Sequence, residues 1–198
     1  MQYKFFEEDC IYHTQEWHED RAAAHHMEEP MHAPRLLVVA GIVEFLIRFH
    51  NVSTIVDLGC GDGGLIHQIQ NHNEAPILSI KGYDFQPMNV QAAHDRGRRN
   101  VEFLNFLEHD LEYADLYIAT EVLEHLKDPW ALLKRIPSRW LVASCPNGET
   151  PEGHYEAHLW GWDGDGFRAL MEDSGWKVYT YSTISENVQP TQIVVAHR

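Results

Sequence analysis

The chain has 198 residues, 44% of them hydrophobic, which suits one domain with a substantial core. Its 30 acidic residues against 15 basic ones give a formal net charge of -15, which repels phosphate backbones and makes long nucleic acid a poor partner. The three cysteines, Cys10, Cys60 and Cys145, have no metal or redox spacing, and no run reaches about 18 apolar residues, so a cytoplasmic chain outside the membrane is expected.

Residues 1–34 are polar and rich in aromatics and histidine: Phe5, Phe6, Tyr12, His13, Trp17, His18, His25, His26 and His32, closed by Pro30 and Pro34. They suit either a lid over a pocket or a helix capping a sheet edge. Residues 35–49 are nearly all apolar and predict a helix covering one face of a sheet. Strands are then predicted over 54–58, 77–84, 101–106, 114–120 and 140–145. Helices are predicted over 65–71, from Met88, over 130–136 and over 167–174. Two closing strands, 177–184 and 191–196, complete an antiparallel pair. A polar loop, 149–166, carries His154, Tyr155, His158, Trp160 and Trp162, and a loop that long in a compact domain is usually functional. The alternation predicts a single α/β domain over 1–198, its core over 35–198, built on a Rossmann-like, seven-stranded, mostly parallel sheet with helices on both faces.

The informative stretch is Thr54-Ile55-Val56-Asp57-Leu58-Gly59-Cys60-Gly61-Asp62-Gly63-Gly64, a strand turning sharply into a helix. Gly59, Gly61 and Gly63 admit positive φ and bare backbone, and the helix beginning near Gly64 points free N–H groups into the same space. The spacing is G-x-G-x-G. A nicotinamide dehydrogenase would instead carry G-x-G-x-x-G, and the lysine of a phosphate loop is absent. One βαβ step later Gly82-Tyr83-Asp84 ends a strand in an acid, where a carboxylate grips a ribose diol.

V-D-L-G-C-G-D-G-G, then G-Y-D, then A-T-E-V-L-E-H-L-K-D-P resembles the class I S-adenosylmethionine-dependent methyltransferases, particularly ubiquinone-type O-methyltransferases, from about Asn51 onward. The resemblance implies S-adenosylmethionine as cofactor, with Asp57 and the loop Gly59, Cys60, Gly61 and Gly63 around its methionine part. It further implies Asp84 and Phe85 at the ribose, and Thr120 and Glu121 at the edge of the site. The family usually sets an aspartate after the next strand for the adenine; here Asn105 and Phe106 stand in its place.

Glu121, Glu124 and His125 are spaced i, i+3 and i+4, and so share one face if helical. With His158 ahead of Trp160 and Trp162, the pattern also resembles the small-RNA 3′-terminal 2′-O-methyltransferases. That resemblance implies Glu121, Glu124, His125 and His158 as ligands of a divalent cation, Mg, Mn or Zn. Metal-free methyl transfer to an oxygen of a small-molecule acceptor is the leading expectation, with His125 or His158 as general base, since imidazole titrates near neutral pH; the metal-dependent RNA-end reaction is the alternative. A non-catalytic cofactor-binding protein is the rival outside the enzymes. The acceptor and the oligomeric state are not encoded in any motif.

Overall fold

A computed structural model describes residues 1–6, 25, 27–29, 32–72, 79–185 and 190–198. Tyr12, His13, Trp17, His18, His26 and most of the expected lid lie outside the described residues, as do Cys10 and the beginning of the strand expected from residue 77.

The elements run β1 (Gln2–Lys4), α1 (Ala33–His50), β2 (Thr54–Leu58), α2 (Gly64–His72), β3 (Ser79–Asp84), α3 (Pro87–Asp95) and β4 (Val101–Phe103). They continue as β5 (Ala114–Thr120), a 3-10 turn (Leu123–His125), α4 (Pro129–Arg135), β6 (Ser138–Pro146), β7 (Trp160–Trp162), α5 (Gly164–Asp173), β8 (Lys177–Ile184) and β9 (Thr191–His197). Seven strands form one sheet in the order β4-β3-β2-β5-β6-β9-β8. The pairs from β4 to β6 are parallel, while β9 runs antiparallel to both β6 and β8. Among the described residues no helix is long and apolar enough to cross a membrane.

Period-two alternation divides the core into two layers. On one face Ile55, Leu116, Ile118, Val142 and Ile193 meet Val39, Val43 and Leu46 of α1 and Leu65, Ile66 and Ile69 of α2. On the other, Val56, Leu58, Tyr117, Leu141 and Val194 meet Leu132 and Leu133 of α4 and Phe167, Leu170 and Met171 of α5. Both faces of the central strands are therefore apolar, the pattern of a parallel sheet covered twice. Each fully buried Leu or Ile contributes about 1.5–3 kcal/mol. Asp128 caps α4 by accepting from Ala131 N at 2.9 Å, and Asp163 caps α5 by accepting from Gly166 N at 2.9 Å.

Three local expectations are corrected. The strand expected over 101–106 stops at Phe103, because the Asn105 carbonyl accepts from Glu108 N and His109 N and turns the chain away from the edge. Glu121, Glu124 and His125 do not share one α-helix: Glu121 takes a left-handed φ of 54° and only Leu123–His125 form a 3-10 turn. The segment 149–166 is not all loop, since Trp160–Trp162 pairs antiparallel with Gln2–Lys4. Gln2–Lys4, the start of the segment expected as a lid or cap, is thus a strand.

Candidate active site

The carboxyl ends of the parallel strands converge at the glycine loop, the edge at which open α/β sheets bind ligands. Gly59, Gly61 and Gly63 all take positive φ, at 68°, 57° and 73°. At Gly59 the requirement is double, because a Cβ there would also lie 2.6 Å from Val122 Cγ2. Gly59 N donates to Tyr83 O at 2.8 Å and Gly61 N donates to Asp84 Oδ2 at 2.8 Å, which lashes the loop to the end of β3. Met27, Leu36, Asp57, Gly59, Asp62 and Thr120 line the pocket that results, and Cys60 borders it.

Asp57 is 1% exposed and its Oδ1 has no hydrogen-bond partner. Burial, and then the charge of Asp84, push its carboxyl well above the usual carboxylate range. A bound cation-bearing group is the natural complement for such an atom. Burial also raises Asp84, against the opposing hydrogen bonds from Gln86 N, Asn89 and Gly61 N. Its Oδ1 accepts from Gln86 N at 2.8 Å and from Asn89 Nδ2 at 3.2 Å, so three of about four acceptor positions are already in use. Burial likewise pushes up the Cys60 thiol, which suits packing rather than reactivity.

Asp62 holds the loop from the other side. Arg98 Nη1 donates to the Asp62 carbonyl at 2.7 Å and lies 2.9 Å from its Oδ2. Arg96 Nε and His25 Nδ1 approach the same oxygen at 3.7 and 3.3 Å, and Arg96 Nη2 reaches Glu28 Oε1 at 3.2 Å. The arginine cluster 96–99 reads from sequence as a solvated helix end; in the fold its Arg96 links Glu28 to Asp62 of the glycine loop, and its Arg98 holds Asp62 directly.

The second part of the site lies where β5 ends. Glu124 is fully buried, neither of its carboxylate oxygens has a hydrogen-bond partner, and burial followed by the charge of Glu121 raises its carboxyl well above the ordinary range. His125 and His158 lie beside it, with ring centroids 4.8 Å apart. One ligand atom from each of Glu124, His125 and His158 falls within 4.8 Å of the others, a grouping one cation can bridge. The His125 Nδ1 lies 2.9 Å from the Ala157 carbonyl, and the His158 Nδ1 lies 2.7 Å from Glu149 Oε2. Both partners are acceptors, so a neutral ring at either position would carry its proton on Nδ1 and its lone pair on Nε2, the tautomer a metal-binding imidazole needs. This donor set fits a divalent cation.

Glu121 stands apart from these three. Its Oε1 accepts from Ser144 Oγ at 2.9 Å, and its Oε2 lies 3.5 Å from Nη1 of the buried Arg35. Of the two residues expected at the adenine, Asn105 accepts at its Oδ1 from Leu107 N at 3.2 Å and Phe106 is 3% exposed within the core, which turns both toward the fold itself. Phe85 follows Asp84 at the same strand end and is half-buried. Arg35, Glu149 and Arg98 were not among the residues expected from sequence. Only Arg98 carried a signal, its place in a basic cluster.

Residues 56–142 match the family profile Methyltransf_12, described as a methyltransferase domain. The curated O-methyltransferase resE of Aspergillus sclerotiorum is 28% identical over 158 residues, which cover 69% of this chain and 59% of that protein. The chain therefore spans well under two thirds of the length of this relative. Magnesium protoporphyrin IX methyltransferase (ChlM) from Synechocystis PCC 6803, solved with bound SAH, superposes with a TM-score of 0.67 at 16% identity over 92% of each chain. The small RNA methyltransferase HEN1 superposes with a TM-score of 0.69 at 22% identity, covering 91% of this chain and 27% of that one. Residues 56–142 thus match a methyltransferase-domain profile, and the sheet order and the glycine loop fastened to the acid ending β3 give the chain the Rossmann-like fold of these solved methyltransferases.

Proposed function

We propose that the protein transfers the methyl group of S-adenosylmethionine to an oxygen of an acceptor held against a divalent cation on Glu124, His125 and His158. The observation that carries the metal is Glu124, a buried carboxylate whose oxygens have no hydrogen-bond partner, facing two imidazoles. A bare buried carboxylate is costly unless something else satisfies it. Bound there, the cation would supply charge neutralisation and lower the pKa of an acceptor hydroxyl.

The chain's own residues then do the positioning. The glycine loop offers backbone N–H groups and the orphaned Asp57 Oδ1 to the methionine end of the cofactor, while Asp84 has acceptor capacity left for the ribose. The sulfonium methyl is already activated, so in-line placement and exclusion of water account for most of the acceleration. Glu121, held by Ser144 and Arg35, adds negative charge at the strand end between the two halves of the site. The curated relative named an O-methyltransferase supports oxygen as the acceptor atom.

A terminal ribose of RNA is the second reading for the acceptor, favoured by the likeness to HEN1 and opposed by the net charge of -15. Methyl transfer from labelled S-adenosylmethionine to small vicinal diols and catechols, against short RNA with free 3′ hydroxyls, decides between acceptors. The cation reading expects a chelator to abolish turnover and Mg, Mn or Zn to restore it. Undiminished turnover in chelator would instead assign His125 or His158 as general base. Cofactor binding without transfer to any acceptor would leave a binding protein.

A further inference from the structure

Glu149 opens the loop that His158 closes, and it is 3% exposed although it follows Gly148 and precedes Thr150 and Pro151, a stretch with the composition of a surface turn. Its two oxygens take two different donors: Oε1 accepts from Tyr155 N at 2.9 Å, and Oε2 lies 2.7 Å from His158 Nδ1. Thr150 and Gly153 exchange backbone hydrogen bonds at 3.2 and 3.0 Å, which closes the turn between them. The loop is therefore folded around the Glu149 carboxylate, and its far end is presented to Glu124 and His125.

We infer that Glu149 is a positioning residue: it holds the proton of His158 on Nδ1 and so turns the Nε2 lone pair toward Glu124. The inference rests on the cation reading above for its purpose but not for its geometry. His125 is held in the same sense by a different acceptor, the Ala157 carbonyl. That backbone group cannot change with sequence, whereas Glu149 can. A carboxylate accepts on both oxygens, which is what Tyr155 N–H and His158 Nδ1–H together require. An amide cannot meet both. In Glu149→Gln, if the amide oxygen keeps Tyr155 N, the amide NH2 faces His158 Nδ1, and the imidazole answers by moving its proton to Nε2. The ligand lone pair is then lost although the side chain has kept its shape and the loop its backbone contact.

The test is a long-range 1H–15N spectrum of histidine-labelled, metal-free protein, with His158→Asn used to assign the resonances, together with calorimetric titration of Mn2+. In the parent, His158 is expected with Nδ1 protonated and Nε2 bare. In Glu149→Gln the Nε2-protonated form of His158 should appear while His125 is unchanged, and Mn2+ affinity should fall by about 10–100-fold. A merely structural role for Glu149 would leave the tautomer in place in this isosteric variant. An Nε2-protonated His158 in the parent overturns the inference without any variant, as does parental Mn2+ affinity with an unchanged tautomer in Glu149→Gln. Should the parent bind neither Mn2+ nor Zn2+, the cation reading fails, and the tautomer in metal-free protein still decides whether Glu149 sets it.

Discussion

Gly61 N donates to Asp84 Oδ2 across 23 residues of sequence, so the acid that ends β3 is also the fastening of the glycine loop. Asp84→Ala should therefore lose two things together. Cofactor affinity should drop by about 2–4 kcal/mol from missing charge-assisted hydrogen bonds. Folding stability should drop by about 1–3 kcal/mol, because Gly61 N, Gln86 N and Asn89 Nδ2 lose a buried acceptor. Titration calorimetry and urea unfolding read the two losses separately; a stable variant with parental affinity would remove Asp84 from the site.

Arg98→Met tests the other side of the loop. It keeps the aliphatic stem and deletes the contacts to the Asp62 carboxylate and carbonyl. A loss of ~2 kcal/mol in urea unfolding is expected, the low end for a mostly buried pair, because Arg96 and His25 still stand beside Asp62. Weaker cofactor binding should accompany it. An unchanged midpoint would return the basic cluster to the role of a solvated helix end.

Gly59→Ala combines a strained φ of 68° with an overlap on Val122. The two costs should total about 2–4 kcal/mol. Val122→Ala removes the overlap but leaves the strain, so Gly59→Ala should cost about 1 kcal/mol less in that background. Additive costs in the double variant would mean that backbone conformation alone demands the glycine.

Asp57 gives a pH dependence whose sign can be worked out. Its native carboxyl titrates above its unfolded value, so between the two the native state holds more protons than the unfolded one. Its contribution is thus fully present below the unfolded value near pH 4 and is lost as pH rises through the native one. Asp57→Asn cannot titrate. The midpoint of the cofactor-free variant, relative to the parent, should climb as pH is raised from about 4 to about 7, even as its affinity for the cofactor falls. A constant difference across that range in thermal melts would mean that the Asp57 carboxyl does not shift on folding.

The sheet was largely readable because its central strands carry their own apolar runs, and runs such as Ala114–Thr120 keep their place whatever surrounds them. The glycine loop was readable because positive φ leaves a mark on residue type. The set expected from sequence was Glu121, Glu124, His125 and His158; the fold brings the last three together and leaves Glu121 out, since nothing in residue type announces a left-handed glutamate. Arg35 escaped notice because it opens an apolar helix, where a charge normally points to solvent; its 3% exposure arises only when the end of β5 brings Glu121 across. Glu149 escaped for a similar reason. Its partners lie six and nine residues on, and no period links them.

The place of β9 between β6 and β8 has a consequence for the order in which the chain is made. Strand β6 pairs with β9 from Trp140–His197 to Pro146–Thr191, so one edge of this apolar strand has no partner until β9, far behind it in the chain, has been made. At about 5–20 residues per second that wait lasts some seconds. For that interval the nascent chain presents an unpaired, nearly fully buried-type edge next to Glu121 and Ser144, and a ribosome that stalls within β8 would release a polypeptide prone to associate with its neighbours through β6.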